Sequence, residues 1–292
     1  MGSPEKLWQE IKQRDVSEGT VTVWWLYQAG IVVKSPGGTV LAIDPYLSDA
    51  VSKSYNQPRN VPAPLDPAQV QFDAVLASHS HPDHLDPDSI DGFASHPETV
   101  FVGPPMVADR VVAAGVDRDR TVALGRGDRT EVGDISVRAV HARHPFAPEP
   151  APDAIGFVLD TGSVTIYHSG DTEYDSEIVD DVSGVSAAFI VMNGTAGNMN
   201  VHEAALLAWR IGAKLAVPFH YGLWRDEGYG PGATLDPSQF VGTYERLAPG
   251  GPTLVLSPAQ PVTIGAEGLV GPHGPGHAAA RAAASTEAPV TS

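Results

Sequence analysis

Apolar residues recur along this chain in short, dense runs separated by glycine, proline and aspartate. The run Thr20-Val21-Thr22-Val23-Trp24-Trp25-Leu26 is β-branched and aromatic and predicts a strand. Residues 31–34 predict a second. After the turn signal Ser35-Pro36-Gly37-Gly38, residues 39–43 predict a third that stops at Asp44-Pro45. The chain thus opens as a β-meander. Ahead of it, residues 5–14 put Leu7, Trp8 and Ile11 on one side of a short amphipathic helix. Residues 49–67 carry several prolines and no period, and predict a long loop of the kind that is usually functional or disordered. Residues 72–77 predict a buried strand, and residues 85–93 a helix opened by Asp86-Pro87-Asp88.

From residue 99 onward strands and helices alternate. Strands are expected at 99–102, 121–124, 130–132 and 135–140, with a helix at 104–114 that has proline near its start and Gly115 at its end. Residues 145–152 read as a proline-rich loop. A hairpin at 154–160 and 164–168 turns on Thr161-Gly162-Ser163 and runs out at Ser169-Gly170-Asp171. Residues 187–192 predict a buried strand, and Asn200 with Glu203 forms a capping-box pattern for a helix at 201–211. A short strand at 215–217 leads to His220. A helix at 237–247 and strands at 253–256 and 261–264 complete the pattern. Strands in both halves with helices between them predict an α/β fold, an αββα sandwich of two mixed β-sheets flanked by helices, as one domain over residues 1–265. Residues 266–292 turn to Gly, Pro, Ala, Ser and Thr. They predict a disordered tail, which takes His273 and His277 out of the chemistry.

Composition narrows the function. Hydrophobic residues make up 42% of the 292, enough for a sizeable core. There is no cysteine, so disulfides, thiolate zinc sites and cysteine nucleophiles are excluded together, and any metal must bind nitrogen and oxygen. A formal charge of -17 makes nucleic acid a poor partner, because duplex binding wants a basic footprint. A buried metal can still reverse the local sign for an anionic substrate. Residues 1–17 show no apolar signal-peptide core, and no apolar run is long enough to span a bilayer. The expectation is a cytoplasmic enzyme with a small-molecule substrate and no membrane partner; a homo-oligomer is compatible with the sequence.

The chemistry gathers in Ser78-His79-Ser80-His81-Pro82-Asp83-His84, which follows a strand directly. Histidine and aspartate are the usual ligands of borderline and hard divalent metals, and H-x-H-x-D-H spacing lets one loop aim several of them at a single point. Further candidates lie at other strand ends: His141 or His144, Asp171 and His220. Strand ends that converge at one edge of a sandwich are where a rigid scaffold holds a site best.

Trp24-Trp25-Leu26, Gly30-Ile31, Ile43-Asp44, the histidine stretch, Tyr167-His168-Ser169-Gly170-Asp171 and Pro218-Phe219-His220-Tyr221-Gly222-Leu223-Trp224 stand in this order along the chain. Together they resemble the metallo-β-lactamase superfamily, most of all its ascorbate-6-phosphate lactonase-like (UlaG-like) branch, over nearly the whole chain except the tail. The resemblance implies a dinuclear site for two divalent ions, zinc, manganese or iron. His79 and His81 would hold the first, with His144 preferred to His141 as the third ligand. Asp83, His84 and His220 would hold the second, with Asp171 as the bridge. Asp83 would also orient the nucleophile, a water deprotonated between the metals. Asp44 is expected to accept a hydrogen bond from a ligand histidine, or else to be a turn residue before Pro45. His168 is placed near the site or as a satisfied core histidine, and Tyr221 and Trp224 in the pocket or in the core.

The implied reaction is hydrolysis of an ester, lactone, thioester or phosphoester. No Gly-x-Ser-x-Gly elbow offers a serine nucleophile. The chain departs from the lactonase pattern in a short segment between Asp44 and the histidines and in lacking a basic cluster; Arg59, Arg143 and Arg225 are scattered. The main alternative is a diiron oxygenase (a hydroxylase) on the same fold, acting in a bacterial natural-product pathway. A metal-binding module without catalysis is the third reading.

Overall fold

The computed structural model describes residues 3–145 and 150–271. Its central strands carry apolar side chains on both faces because both faces are covered. In β1 (Thr20–Trp25), Val21, Val23 and Trp25 join the core between the two sheets, whereas Trp24 joins a second core with Leu7, Trp8 and Ile11 of α1 (Pro4–Gln13). The same two-residue period divides β2 (Ile31–Lys34) and β3 (Val40–Ile43): Ile31, Val33, Leu41 and Ile43 face the inner core, Val32, Val40 and Ala42 the outer one. Each fully buried side chain of this size contributes roughly 1.5–3 kcal/mol.

A short helix, α2 (Ala50–Tyr55), precedes β4 (Ala74–Leu76), and α3 (Ile90–Ala94) and α4 (Pro105–Ala113) flank β5 (Val100–Gly103). The remaining elements are β6 (Thr121–Ala123), β7 (Arg129–Val132), β8 (Ile135–His141), β9 (Ile155–Asp160), β10 (Thr165–His168), α5 (Ser176–Asp181), β11 (Ala187–Val191), α6 (Val201–Arg210), β12 (Ala216–Phe219), α7 (Asp226–Tyr229), α8 (Pro237–Leu247), β13 (Pro261–Gly265) and β14 (Gly268–Leu269). They form an eight-stranded sheet, β14-β13-β1-β2-β3-β4-β5-β6, and a six-stranded sheet, β12-β11-β10-β9-β8-β7. Both are mixed: β3 to β6 and β10 to β12 pair in parallel and the others antiparallel. The expected αββα sandwich is the fold.

The sheets are pinned through Asp134, in the turn between β7 and β8. Its carboxylate accepts hydrogen bonds from the Gly37 amide (2.9 Å) and from the Ser35 and Thr39 hydroxyls (2.5 Å each), all in the turn between β2 and β3.

Three expectations change. The loop predicted over 49–67 contains α2. The strand expected at 253–256 reduces to a single bridge, Thr253 to Ala216. The tail does not begin at residue 266, because β14 pairs with β13 there; the rest of it, with His273 and His277, lies outside the described residues, as do residues 146–149 of the proline-rich loop. Among the described residues, no helix is long and apolar enough to cross a membrane.

Candidate metal centre

Four strand ends deliver the site. The histidine stretch follows β4, His144 lies three residues past β8, Asp171 three past β10, and His220 directly after β12. Backbone bonds lock these loops together: Ile155 N–H donates to Ser78 O (3.0 Å) and His220 N–H to Gln28 O (3.0 Å). The Asp171 loop presses so closely on the histidine stretch that a Cβ at Gly170 would fall 2.7 Å from the Ser78 Cβ, and Gly170 also holds a φ of +58°. Glycine alone satisfies both conditions.

The side chains converge in two sets. In one, His79 Nε2 lies 2.8 Å from His81 Nδ1, and His144 Nε2 lies 3.2 Å from that same Nδ1. In the other, His84 Nε2 and His220 Nε2 are 3.2 Å apart, each 3.7 Å from Asp83 Oδ2. Asp171 lies between: Oδ2 is 3.9 Å from His144 Nε2, and Oδ1 is 3.0 and 3.4 Å from His220 and His84 Nε2. A tetrahedral ion with bonds of about 2.0–2.2 Å holds its ligands roughly 3.3–3.6 Å apart; the second set, at 3.2–3.7 Å, is close to that spacing, and the first, at 2.8 and 3.2 Å, is drawn somewhat tighter. Asp171 Oδ1 is the sharpest sign of fit. It is buried and accepts no conventional hydrogen bond although two imidazole nitrogens face it.

Electrostatics agree. Burial, reinforced by the neighbouring imidazoles, holds His79 well below its ordinary pKa, and burial takes His144 down to about 4, so both are neutral, as ligands must be. Burial also opposes charge on His84, but Asp171, Asp83 and Asp44 outweigh it and hold its pKa well above normal. Burial would raise Asp171, yet His220 and His84 keep it well below the carboxylate range. A pocket that pulls a buried imidazole toward its cation is one in which a divalent ion is well placed.

A supporting layer orients these rings. Asp44, fully buried, accepts from the Ser78 amide and hydroxyl (2.7 Å each) and from His84 Nδ1–H (2.8 Å). The Ser78 hydroxyl in turn lies 3.1 Å from His79 Nδ1. One carboxylate thus leaves the Nε2 atoms of both His79 and His84 facing the site. His220 Nδ1 sits 3.0 Å from the Asn193 amide and 3.3 Å from that of Gln28, whose oxygen accepts from the Tyr229 hydroxyl (2.6 Å). Asp44 (φ 48°), Gln28 (φ 47°) and His220 (φ 70°) all hold left-handed backbone conformations. These cost a non-glycine residue about 1–3 kcal/mol and concentrate at functional sites.

His144, not His141, stands with His79 and His81; His141 pairs with Asp175 (3.1 Å) in a separate group with Glu177, where Arg126 binds Glu177 and Asp181. Asp44 is the partner of a site histidine rather than only a turn residue. His168 takes the core alternative: Nε2–H donates to Ala29 O (2.8 Å) and Nδ1 accepts from the Gly170 amide, which shapes the loop before Asp171. Tyr221 packs on Trp25, ring centroids 5.1 Å apart, and does not line the cleft above the site, whereas Trp224 does. That cleft has a volume of about 230 Å³ and is floored by His81, Asp83, His144, Asp171 and His220. Asn198 donates its side-chain amide to Asp171 Oδ2 (2.8 Å); it, Ser78, Gln28, Asn193 and Tyr229 lie outside the residues the sequence singles out. Only Ser78, inside the histidine motif, carried a signal.

A family model described as "Beta-lactamase superfamily domain" matches residues 39–221. The chain belongs to the metallo-β-lactamase superfamily. Within it the chain is UlaG-like: a protein named "Probable L-ascorbate-6-phosphate lactonase UlaG" from Escherichia coli (strain SMS-3-5 / SECEC) is 29% identical, covering 74% of this chain and 73% of the relative. Two solved structures share the fold. Igni18, a metallo hydrolase from the archaeon Ignicoccus hospitalis, superposes with a TM-score of 0.63 at 20% identity over 84% of this chain and 98% of its own. CmlA, a diiron β-hydroxylase from Streptomyces venezuelae, gives 0.63 at 14% identity over 86% of this chain and 55% of its own. Membership of the superfamily supports a metal-dependent hydrolase, and the His/Asp cluster has the donors to hold divalent metal.

Proposed function

We propose that the chain hydrolyses a small-molecule ester, lactone, thioester or phosphoester at a dinuclear metal centre. The observation that carries this reading is the pair of ligand sets with the Asp171 carboxylate between them. His79, His81 and His144 would hold one ion and Asp83, His84 and His220 the other, with Asp171 bridging. Two divalent ions, when bound, lower the pKa of a water toward neutrality and polarise a carbonyl or phosphoryl oxygen. The protein supplies the rest. Asp44 and Ser78 fix the tautomers of His84 and His79. Asp83, at the cleft floor and less enclosed than Asp171, would orient the attacking water and take up its proton. Water adds to the acyl or phosphoryl centre, and the alcohol or thiol leaves with a proton. Lactone chemistry is supported by the name of the E. coli relative, but its phosphorylated substrate is not carried over.

The test is metal analysis of protein purified without added metal, followed by turnover of a lactone and aryl-ester panel with and without oxygen. Oxygen-independent hydrolysis restored to stripped protein by zinc or manganese is expected. Activity that appears only with iron and dioxygen would refute hydrolysis and establish the oxygenase alternative.

A further inference from the structure

The walls of the cleft say more about the substrate than its floor. Its apolar side is made by Val51, Tyr55, Trp224 and Tyr229, with the Trp224 and Tyr229 rings 5.4 Å apart. Gln57 and Thr195 add uncharged polar groups. Among the described residues, no lysine or arginine lines it, and residues 146–149, beside His144 in sequence, include none. The charged lining groups are Asp83 and Asp171, both on the metal-facing floor.

None of the three arginines nearest in sequence to cleft residues lines the cleft. Arg59 stacks on the Tyr46 ring at 5.0 Å and donates to Tyr46 O (2.8 Å) and Val61 O (3.2 Å); its Nη2 is buried without a hydrogen-bond partner, but the group sits in a separate recess. Arg143 pairs with Glu173 at 2.9 Å, and Arg225 is exposed at the start of α7. A phosphate monoester carries nearly two negative charges at neutral pH and needs cationic or N–H donors to leave water. The scissile group would occupy the floor, so a phosphate elsewhere on the substrate would meet aromatic rings in a chain of net charge -17. Hydrocarbon, in contrast, gains about 25 cal/mol for each Å² buried against such walls.

We propose that the cleft selects an uncharged ester or lactone bearing a hydrocarbon or aromatic substituent, and discriminates against its phosphorylated counterpart. This rests on the hydrolase reading, but binding can be measured apart from turnover. The probes are an aryl-substituted γ-lactam, whose unstrained amide is hydrolysed far more slowly than the lactone it replaces, and the same lactam with a phosphate monoester on its substituent. Both are titrated calorimetrically into the zinc-loaded protein. The neutral lactam is expected to bind at least tenfold more tightly, Trp224→Ala to weaken it tenfold or more, and Thr195→Lys to narrow the gap between the two by at least tenfold. Equal or tighter binding of the phosphorylated lactam to the unmodified protein, or indifference to both substitutions, overturns the proposal. The matching neutral lactone is then assayed for turnover. Selective lactam binding without lactone hydrolysis would uphold the cleft's selectivity and refute hydrolysis instead.

Discussion

Replacing Asp44 with asparagine isolates the layer that orients the metal site. Asp44 accepts three hydrogen bonds at 2.7–2.8 Å, two from Ser78 and one from His84 Nδ1. Each is charge-assisted and contributes roughly 1.5–3 kcal/mol. Asparagine tolerates the left-handed φ of 48° as well as aspartate does, so backbone strain is unchanged. It keeps one acceptor oxygen, which can still serve the Ser78 amide. Its NH₂ group then faces the Ser78 hydroxyl, which can rotate, and His84 Nδ1–H, which cannot. The imidazole escapes the donor–donor clash only by giving up its Nδ1 proton and keeping the one on Nε2, the atom that faces Asp171 and His220 and that a metal would need free. The expected cost is about 2–4 kcal/mol of folding stability in metal-stripped protein, from the lost and the clashing bond. Metal affinity should fall about 10- to 100-fold, as when other groups that orient ligand histidines are removed. Urea unfolding of stripped protein measures the first, and competition with a chromophoric zinc chelator the second. Unchanged zinc affinity in Asp44→Asn would refute the orienting role, even if stability fell.

Four other substitutions probe three separate parts of the structure. His144→Ala should lose metal from the site while His141→Ala retains it, read by bound metal per chain after dialysis, because only His144 approaches His81 (3.2 Å). Gly170→Ala should lower both metal occupancy and melting temperature, since its Cβ would meet Ser78 at 2.7 Å and its φ is +58°. Asp134→Ala should cost about 1 kcal/mol in urea unfolding at neutral pH, an amount held down by the group's exposure. Burial alone would raise the Asp134 pKa, but the Ser35, Thr39 and Gly37 hydrogen bonds lower it below 3.8. Its contribution is therefore complete above the unfolded value and is lost as pH falls through the lower folded value, so the stability gap to Asp134→Ala should close in strongly acidic solution.

The architecture was legible because it rests on burial. Strands such as β11 are buried at every position and appear as unbroken apolar runs, and α6 announces itself through the Asn200–Glu203 capping box. The missed helices α2, α5 and α7 have six, six and four residues, too short to display a 3.6-residue period, and α7 contains Gly228. At 253–256 the β-branched and apolar residues looked like a strand, but only Thr253 bridges Ala216, between Pro252 and the Ser257-Pro258 turn. The candidate ligands were legible as a cluster of unusual residues at strand ends. Of their partners only Asp44 was: Gln28 in the β1–β2 turn and Asn193 after β11 are ordinary polar residues in sequence. They become significant only where β-sheet ends meet at His220, 192 and 27 residues away in the chain.

The most direct test of the shared metal centre is the number of metal ions bound per chain at saturation, by mass spectrometry of the native protein, in the wild type and in Asp171→Ala. The geometry of two ligand sets meeting at one carboxylate predicts two ions in the wild type and fewer than two in the variant, with the fold retained by circular dichroism. A single ion in the wild type, or two in both proteins, would contradict it.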